Sequence, residues 1–243
     1  MRPKIKAMVL AASAIASLTA ASAGCSTGED AYARAREAMV RTQIAGRGIS
    51  DALVLEAMLA VPRHRFVPAR LRGFAYVDNP LPIGLEQTIS QPYIVALMTE
   101  SLRIGPGARV LEVGTGSGYQ AAVLAEIADS VFTIEIIPEL AASAAALLDS
   151  LGYDAVIVRA GDGFDGWPAK APFDGIIVTA AAPEVPPPLA GQLADGGRLV
   201  IPIGDERQDL HIYEKTGDAL RLLGTLPVRF VPMTGKIRST GKE

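Results

Sequence analysis

The stretch Leu111-Glu112-Val113-Gly114-Thr115-Gly116-Ser117-Gly118-Tyr119 constrains this chain more than any other. An apolar run ends in three glycines spaced two apart, and a helical pattern begins directly afterwards. A strand, a tight glycine turn and a helix in that order belong to open parallel sheets, which bind ligands in the crevice beyond the carboxyl ends of their strands. Glycine tolerates the backbone angles of such a turn and lets a ligand approach the main chain closely.

The flanking sequence keeps the alternation. Strands are predicted over 109–113, 131–136, 155–158, 173–178 and 198–203, with helices over 119–128, 138–151 and 189–193 between them. Units of this length imply an α/β Rossmann-like fold with a mostly parallel, doubly wound sheet. Beyond residue 204 the helices stop, and 210–213 and 220–231 read as strands that finish the sheet antiparallel. Helices are also predicted over 29–44, 51–60 and 92–102, with Ser50 as N-cap of the second. Between them, Pro62, Pro68, Pro80 and Pro82 break residues 61–91 into what reads as a functional loop region.

At 243 residues the chain suffices for one such domain, placed over 29–243. It divides into N-terminal helices and a substrate loop (29–104), a cofactor-binding core (105–204) and C-terminal strands (205–243). Acids and bases are interspersed and the net charge is -3, which disfavours nucleic acid as the main partner. A single cysteine, Cys25, and two histidines, His64 and His211, exclude a disulfide framework and a thiolate or histidine metal cluster, so no metal is expected. Residues 1–25 combine a basic start, an uncharged run over 8–18 and Ala21-Ser22-Ala23, the pattern of an export signal. Ser22-Ala23-Gly24-Cys25 also reads as a lipoprotein signal, with Ser22 where a Leu-like residue is usual. Lipidation of Cys25 would be the route to a membrane; an uncleaved Ala-rich helix is the other reading.

Charge selects the ligand. A dinucleotide site presents helix amides to a pyrophosphate, whereas Glu112, two residues before the first glycine, would set an anion beside the ligand. S-adenosylmethionine carries no phosphate, and its sulfonium and amino group are both attracted to a carboxylate. The expected cofactor site therefore comprises Glu112 with Gly114, Thr115, Gly116 and Gly118 of the loop. Glu135, 21 residues after Gly114 at the end of the second strand, stands where an acid accepts both ribose hydroxyls. Asp162 and Gly163 follow the third strand, where Asp162 could bond the adenine amino group or serve plain turn chemistry.

Pro80-Leu81-Pro82-Ile83-Gly84 and Gln87-Thr88-Ile89-Ser90-Gln91-Pro92-Tyr93, together with Arg65-Phe66-Val67-Pro68, Asp162-Gly163, Ile177-Val178-Thr179-Ala180 and Val228-Arg229-Phe230-Val231-Pro232, resemble the protein-L-isoaspartate O-methyltransferases over about residues 41–230. The resemblance implies the S-adenosylmethionine-dependent methyltransferase fold. It also implies methyl transfer to the α-carboxylate of L-isoaspartyl residues in damaged proteins and peptides, with D-aspartyl residues as a second acceptor. By the same resemblance Ser90 is the active-site hydroxyl with Thr88 beside it, the enzyme works as a monomer, and the compartment is the cytoplasm, where the cofactor is made. From the residues alone, Ser90 could instead cap the helix that begins near Pro92. Two departures stand out. His64 occupies a position that the family fills with an acid and is expected to be a partly exposed loop residue, and residues 1–25 point to export. A methyltransferase with another small acceptor and an exported, non-catalytic peptide-binding protein with this fold are the competing readings; an intact cofactor loop speaks against the second.

Overall fold

The structure, a computed structural model, describes residues 28–238, so the export signal expected over residues 1–25, with Cys25, lies outside the described residues. Its elements in chain order are α1 (Gly28–Met39), α2 (Ala52–Ala60), β1 (Leu81–Gly84), β2 (Gln87–Ile89), α3 (Pro92–Leu102), β3 (Arg109–Val113), α4 (Tyr119–Ala125) and β4 (Ser130–Glu135). Then follow α5 (Pro138–Ser150), β5 (Val156–Ala160), β6 (Phe173–Val178), α6 (Pro187–Gln192), β7 (Leu193–Ile203), β8 (Gln208–Thr216) and β9 (Ala219–Val228).

Seven strands form one sheet in the order β5-β4-β3-β6-β7-β8-β9. The first five run parallel, and β8 and β9 close the sheet antiparallel. From β3 the chain moves outward to β4 and β5, then returns to place β6 on the other side of β3. The sheet therefore reverses direction between β3 and β6, the point where such folds open a crevice. Both faces of the central strands are covered. Val110, Val131 and Ile177 pack under α3 and α4, while Leu111, Val113, Phe132 and Ile134 pack into the opposite layer with Leu189. This alternation follows from the two-residue period of a strand.

The sequence reading and the structure part at three places outside the sheet. Residues 61–91, expected as loop, contain the hairpin β1–β2, paired from Leu81 opposite Ile89 to Gly84 opposite Gln87. The N-cap of α2 is Asp51, not Ser50: its carboxylate accepts from the Leu53 and Val54 amides, and the Ser50 amide is bound by Glu100 instead. His64 is buried, 2% exposed. Its ring stacks on Tyr32 of α1 with centroids 4.1 Å apart, and its Nδ1 lies 2.8 Å from the Tyr76 hydroxyl. Burial holds the imidazole below its ordinary range. An exposed position would have suited a charged residue; this one is a packing site roofed by α1.

Candidate active site

The carboxyl ends of β3, β4, β5 and β6 surround a cavity of about 90 Å³, open toward solvent. Its walls are largely apolar, with Val113, Ile134, Ile136, Ile137, Val231 and Met233 among them, and Glu135 is the ionisable side chain that lines it. The glycine loop forms its floor. Gly114 has φ +101°, and a Cβ there would stand 2.3 Å from Thr179 Oγ1, so any other residue would be strained and would have to push the Thr179 hydroxyl aside. Thr179 Oγ1 donates to the Gly114 carbonyl at 2.6 Å, locking the turn to the neighbouring strand. Gly163 is equally constrained, because a Cβ would meet Val113 Cγ1 at 2.2 Å.

Glu135 is 5% exposed and fixed by the main chain: Oε2 accepts from the Gly116 amide at 2.8 Å and Oε1 from the Ile137 amide at 3.0 Å. Each oxygen keeps a further lone pair for a hydroxyl partner. Apolar walls for a base and a preset carboxylate for a diol suit the adenosine half of S-adenosylmethionine. Among the described residues, no group of three or more His, Cys, Asp or Glu side chains converges to hold a metal.

Several of the residues singled out from the sequence stand elsewhere. Glu112 does not line the cavity. It is 0% exposed, on the sheet face opposite Val113, beside its cross-strand partner Thr133. Thr133 Oγ1 donates to Oε2 at 2.5 Å, Oε1 has no partner, and burial pushes the carboxyl up to about 8. At neutral pH the group is held mainly as the neutral acid, so the expected anion beside the ligand is not supplied by Glu112. Thr115 is buried in the same network, with its hydroxyl 2.6 Å from that of Thr133. Gly118 caps α4 at φ +85° and packs against Leu148, where a Cβ would come within 3.1 Å. Its glycine serves helix packing rather than the cavity wall. Asp162 turns toward protein: its carboxylate accepts from the Phe164 amide at 2.9 Å and from the Lys236 amide at 2.8 Å. Gly116, Gly163 and Glu135 do line the cavity.

A second cavity of about 510 Å³ adjoins the first, lined by Pro80, Thr88, Ser90, Gln91, Ile94 and the segment Pro227 to Val231. Thr88, Thr179 and Val231 border both cavities and form the partition between them. The capping alternative for Ser90 fails here. Helix α3 has Gln91 at its N-cap with no side-chain cap, and the Tyr93 amide is bound at 3.0 Å by Asp78, from 15 residues upstream. Ser90 stands in the lining of the second cavity. Thr179 and the strand-end segment Val231 to Thr234 were not singled out as site residues. Thr179 directly follows the buried strand beside β3, and that position at the sheet's reversal point was the available signal.

Relatives agree with this geometry. The family profile described as protein-L-isoaspartate(D-aspartate) O-methyltransferase matches residues 34–238. Protein-L-isoaspartate O-methyltransferase 2 of Shewanella sediminis is 55% identical over 215 residues, covering 87% of this chain and 88% of its own. A solved protein-L-isoaspartate O-methyltransferase superposes with a TM-score of 0.76 at 32% identity, over 83% of this chain and 67% of that one. A Plasmodium falciparum structure described as a protein-L-isoaspartate O-methyltransferase in complex with S-adenosyl-L-homocysteine gives a TM-score of 0.70 at 26% identity, over 82% of this chain and 98% of that one. With the family profile spanning nearly all of the described residues, this chain belongs to the protein-L-isoaspartate(D-aspartate) O-methyltransferase family.

Proposed function

We infer that the protein is an S-adenosylmethionine-dependent enzyme that methylates the α-carboxylate of L-isoaspartyl residues in proteins and peptides, a step that starts their repair. The observation that carries this reading is the polarity of two abutting cavities. Glu135 is the ionisable side chain on the first, Arg229 is the one on the second, and Thr88 and Thr179 lie on the partition. A cationic ligand is favoured on one side and an anionic acceptor on the other. S-adenosylmethionine, when bound, supplies a methyl group on a sulfonium.

The chain's own part is to bind and orient. Glu135 holds the donor side, with Gly114 and Gly163 permitting close approach. Ser90 and Thr88 offer hydroxyl donors to an acceptor carboxylate in the second cavity. A carboxylate has a pKa near ~4 and reaches the site already ionised, so no general base is needed. Alignment alone can lower the barrier by several kcal/mol. Support for Ser90 in this role is that α3 is capped without it. D-aspartyl residues are the second acceptor class proposed, and the enzyme is proposed to act as a monomer without nucleic acid.

The test is labelled S-adenosylmethionine with paired peptides that differ only in isoaspartate against aspartate. Base-labile label on the isoaspartyl peptide alone is the expected result; equal labelling of both, or none, would reject the assignment. For the compartment, the basic start and Ala-rich run of residues 1–25 support export. Mass spectrometry of the mature N-terminus should find cleavage after Ala23 or a lipidated Cys25, and an intact Met1 would return the enzyme to the cytoplasm.

A further inference from the structure

Arg63 is the one fully buried arginine or lysine among the described residues, 0% exposed, and nothing above gives it a task. Its Nε donates to the Ala75 carbonyl at 2.7 Å and its Nη2 to the Ser90 carbonyl at 2.7 Å. Its guanidinium also lies over the ring of Tyr119, 4.7 Å from the centroid, and Tyr119 is the first residue of α4 after the glycine loop. Ala75 and Ser90 bracket the excursion that contains the β1–β2 hairpin and carries Thr88 to the cavity partition. One planar fork therefore closes the base of that excursion at both ends and ties it to the helix behind the cofactor loop.

Packing alone gives no reason for a charge here. Burying a guanidinium costs several kcal/mol, and apolar residues of similar volume often replace buried ions without loss of stability. Nη1 finds no acceptor at all, which adds to the cost. What an apolar side chain cannot do is fix two carbonyls from separate segments in one rigid geometry. We propose that Arg63 is a positioning residue for methyl transfer, holding the main chain of Ser90 so that its hydroxyl keeps a set place relative to the cofactor loop. This rests on the reading of Ser90 as the orienting hydroxyl.

A displacement of about 1 Å in a catalytic group can cost ~100-fold in rate. Arg63→Met should therefore lower kcat by roughly 10–100-fold per folded molecule, with the Kd for S-adenosylhomocysteine changed less than about threefold. The decisive measurement is a cycle of wild type, Arg63→Met, Ser90→Ala and the double variant. Arg63→Met should cost under about threefold once Ser90 is already alanine, because the group it positions is gone. An equal loss in both backgrounds, or an unchanged kcat in Arg63→Met, overturns the proposal while leaving Ser90 in place. A silent Ser90→Ala overturns the Ser90 reading and the proposal with it. If Arg63→Met does not fold, Arg63→Lys takes its place in the cycle. Lysine keeps the charge but cannot span both carbonyls, so a smaller loss of kcat confined to the Ser90 background is expected, and wild-type kcat in Arg63→Lys rejects the role.

Discussion

Replacing Glu112 by glutamine should change how stability depends on pH, and by an amount large enough to measure directly. The wild-type carboxyl rises from 4.5 to about 8 chiefly through burial, with Thr133 as its single hydrogen-bond partner and Glu135 adding repulsion. At ~1.4 kcal/mol per pKa unit this shift is on the order of 5 kcal/mol. The sign follows from proton counts. Between about 4.5 and about 8 the native state keeps a proton that the unfolded chain has released, so stability falls as pH rises through that window and is level above it. Glutamine preserves the shape and the acceptor for Thr133 and never ionises. The two proteins should unfold within ~1 kcal/mol of each other at pH 5, and the glutamine variant should be more stable by several kcal/mol at pH 9. In a chain of this size that corresponds to a rise in Tm on the order of 10 °C. Urea unfolding of both proteins at pH 5, 7 and 9 isolates the effect, because every other titrating group is shared. A difference that stays constant across the three pH values would refute the buried neutral acid.

Three further substitutions address the cavities. Gly114→Ala forces a Cβ against Thr179 at a φ of +101°, and S-adenosylhomocysteine binding by calorimetry should weaken at least ~10-fold; undiminished affinity would mean the turn yields freely. Glu135→Gln turns one accepting oxygen into a donor facing a backbone amide, Gly116 or Ile137, and should weaken the same ligand by roughly 10–100-fold, the ~1.5–3 kcal/mol of a hydrogen bond to a charged group. Ser90→Ala should lower kcat with little change in cofactor Kd, and steady-state kinetics with unchanged kcat would remove Ser90 from the reaction.

How much of this was legible in the sequence depended on how local the deciding contact is. The glycine loop, β3 and α4 could be read because strand, turn and helix follow one another within nine residues. Glu135, the last residue of β4, and Gly163, just past β5, could be assigned to the carboxyl edge of the sheet for the same reason. Glu112 was placed on the correct strand and given the wrong surroundings. A side chain one residue from Val113 must face the other side of the sheet, and there α3 and α4 seal it from water. The β1–β2 hairpin escaped because its strands have four and three residues and include Pro82, too short and too proline-rich for a periodic signal. The partner that frees Ser90 from capping, Asp78, sits 15 residues from Tyr93, and no local rule connects them. His64 looked like a loop residue because nothing in its own segment announces that α1 folds over it.

These placements share a physical logic. An ionised acceptor and an activated donor need no proton shuttle, so the rate has to come from holding two ligands in register where the two cavities meet. The groups near that junction are held by hydrogen bonds that engage main-chain atoms. Thr179 fixes the Gly114 carbonyl, two amides fix Glu135, Asp78 fixes the start of α3, and Arg63 fixes the Ser90 carbonyl. In the proposed reaction, anchoring the Ser90 carbonyl leaves its side chain available to ligand while removing backbone freedom that would blur its position. A neutral Glu112 fits the same scheme, since a second anion behind the loop would repel the Glu135 carboxylate. Loss of rate without loss of ligand affinity is accordingly the signature to expect when any of the carbonyl anchors on the acceptor side is cut.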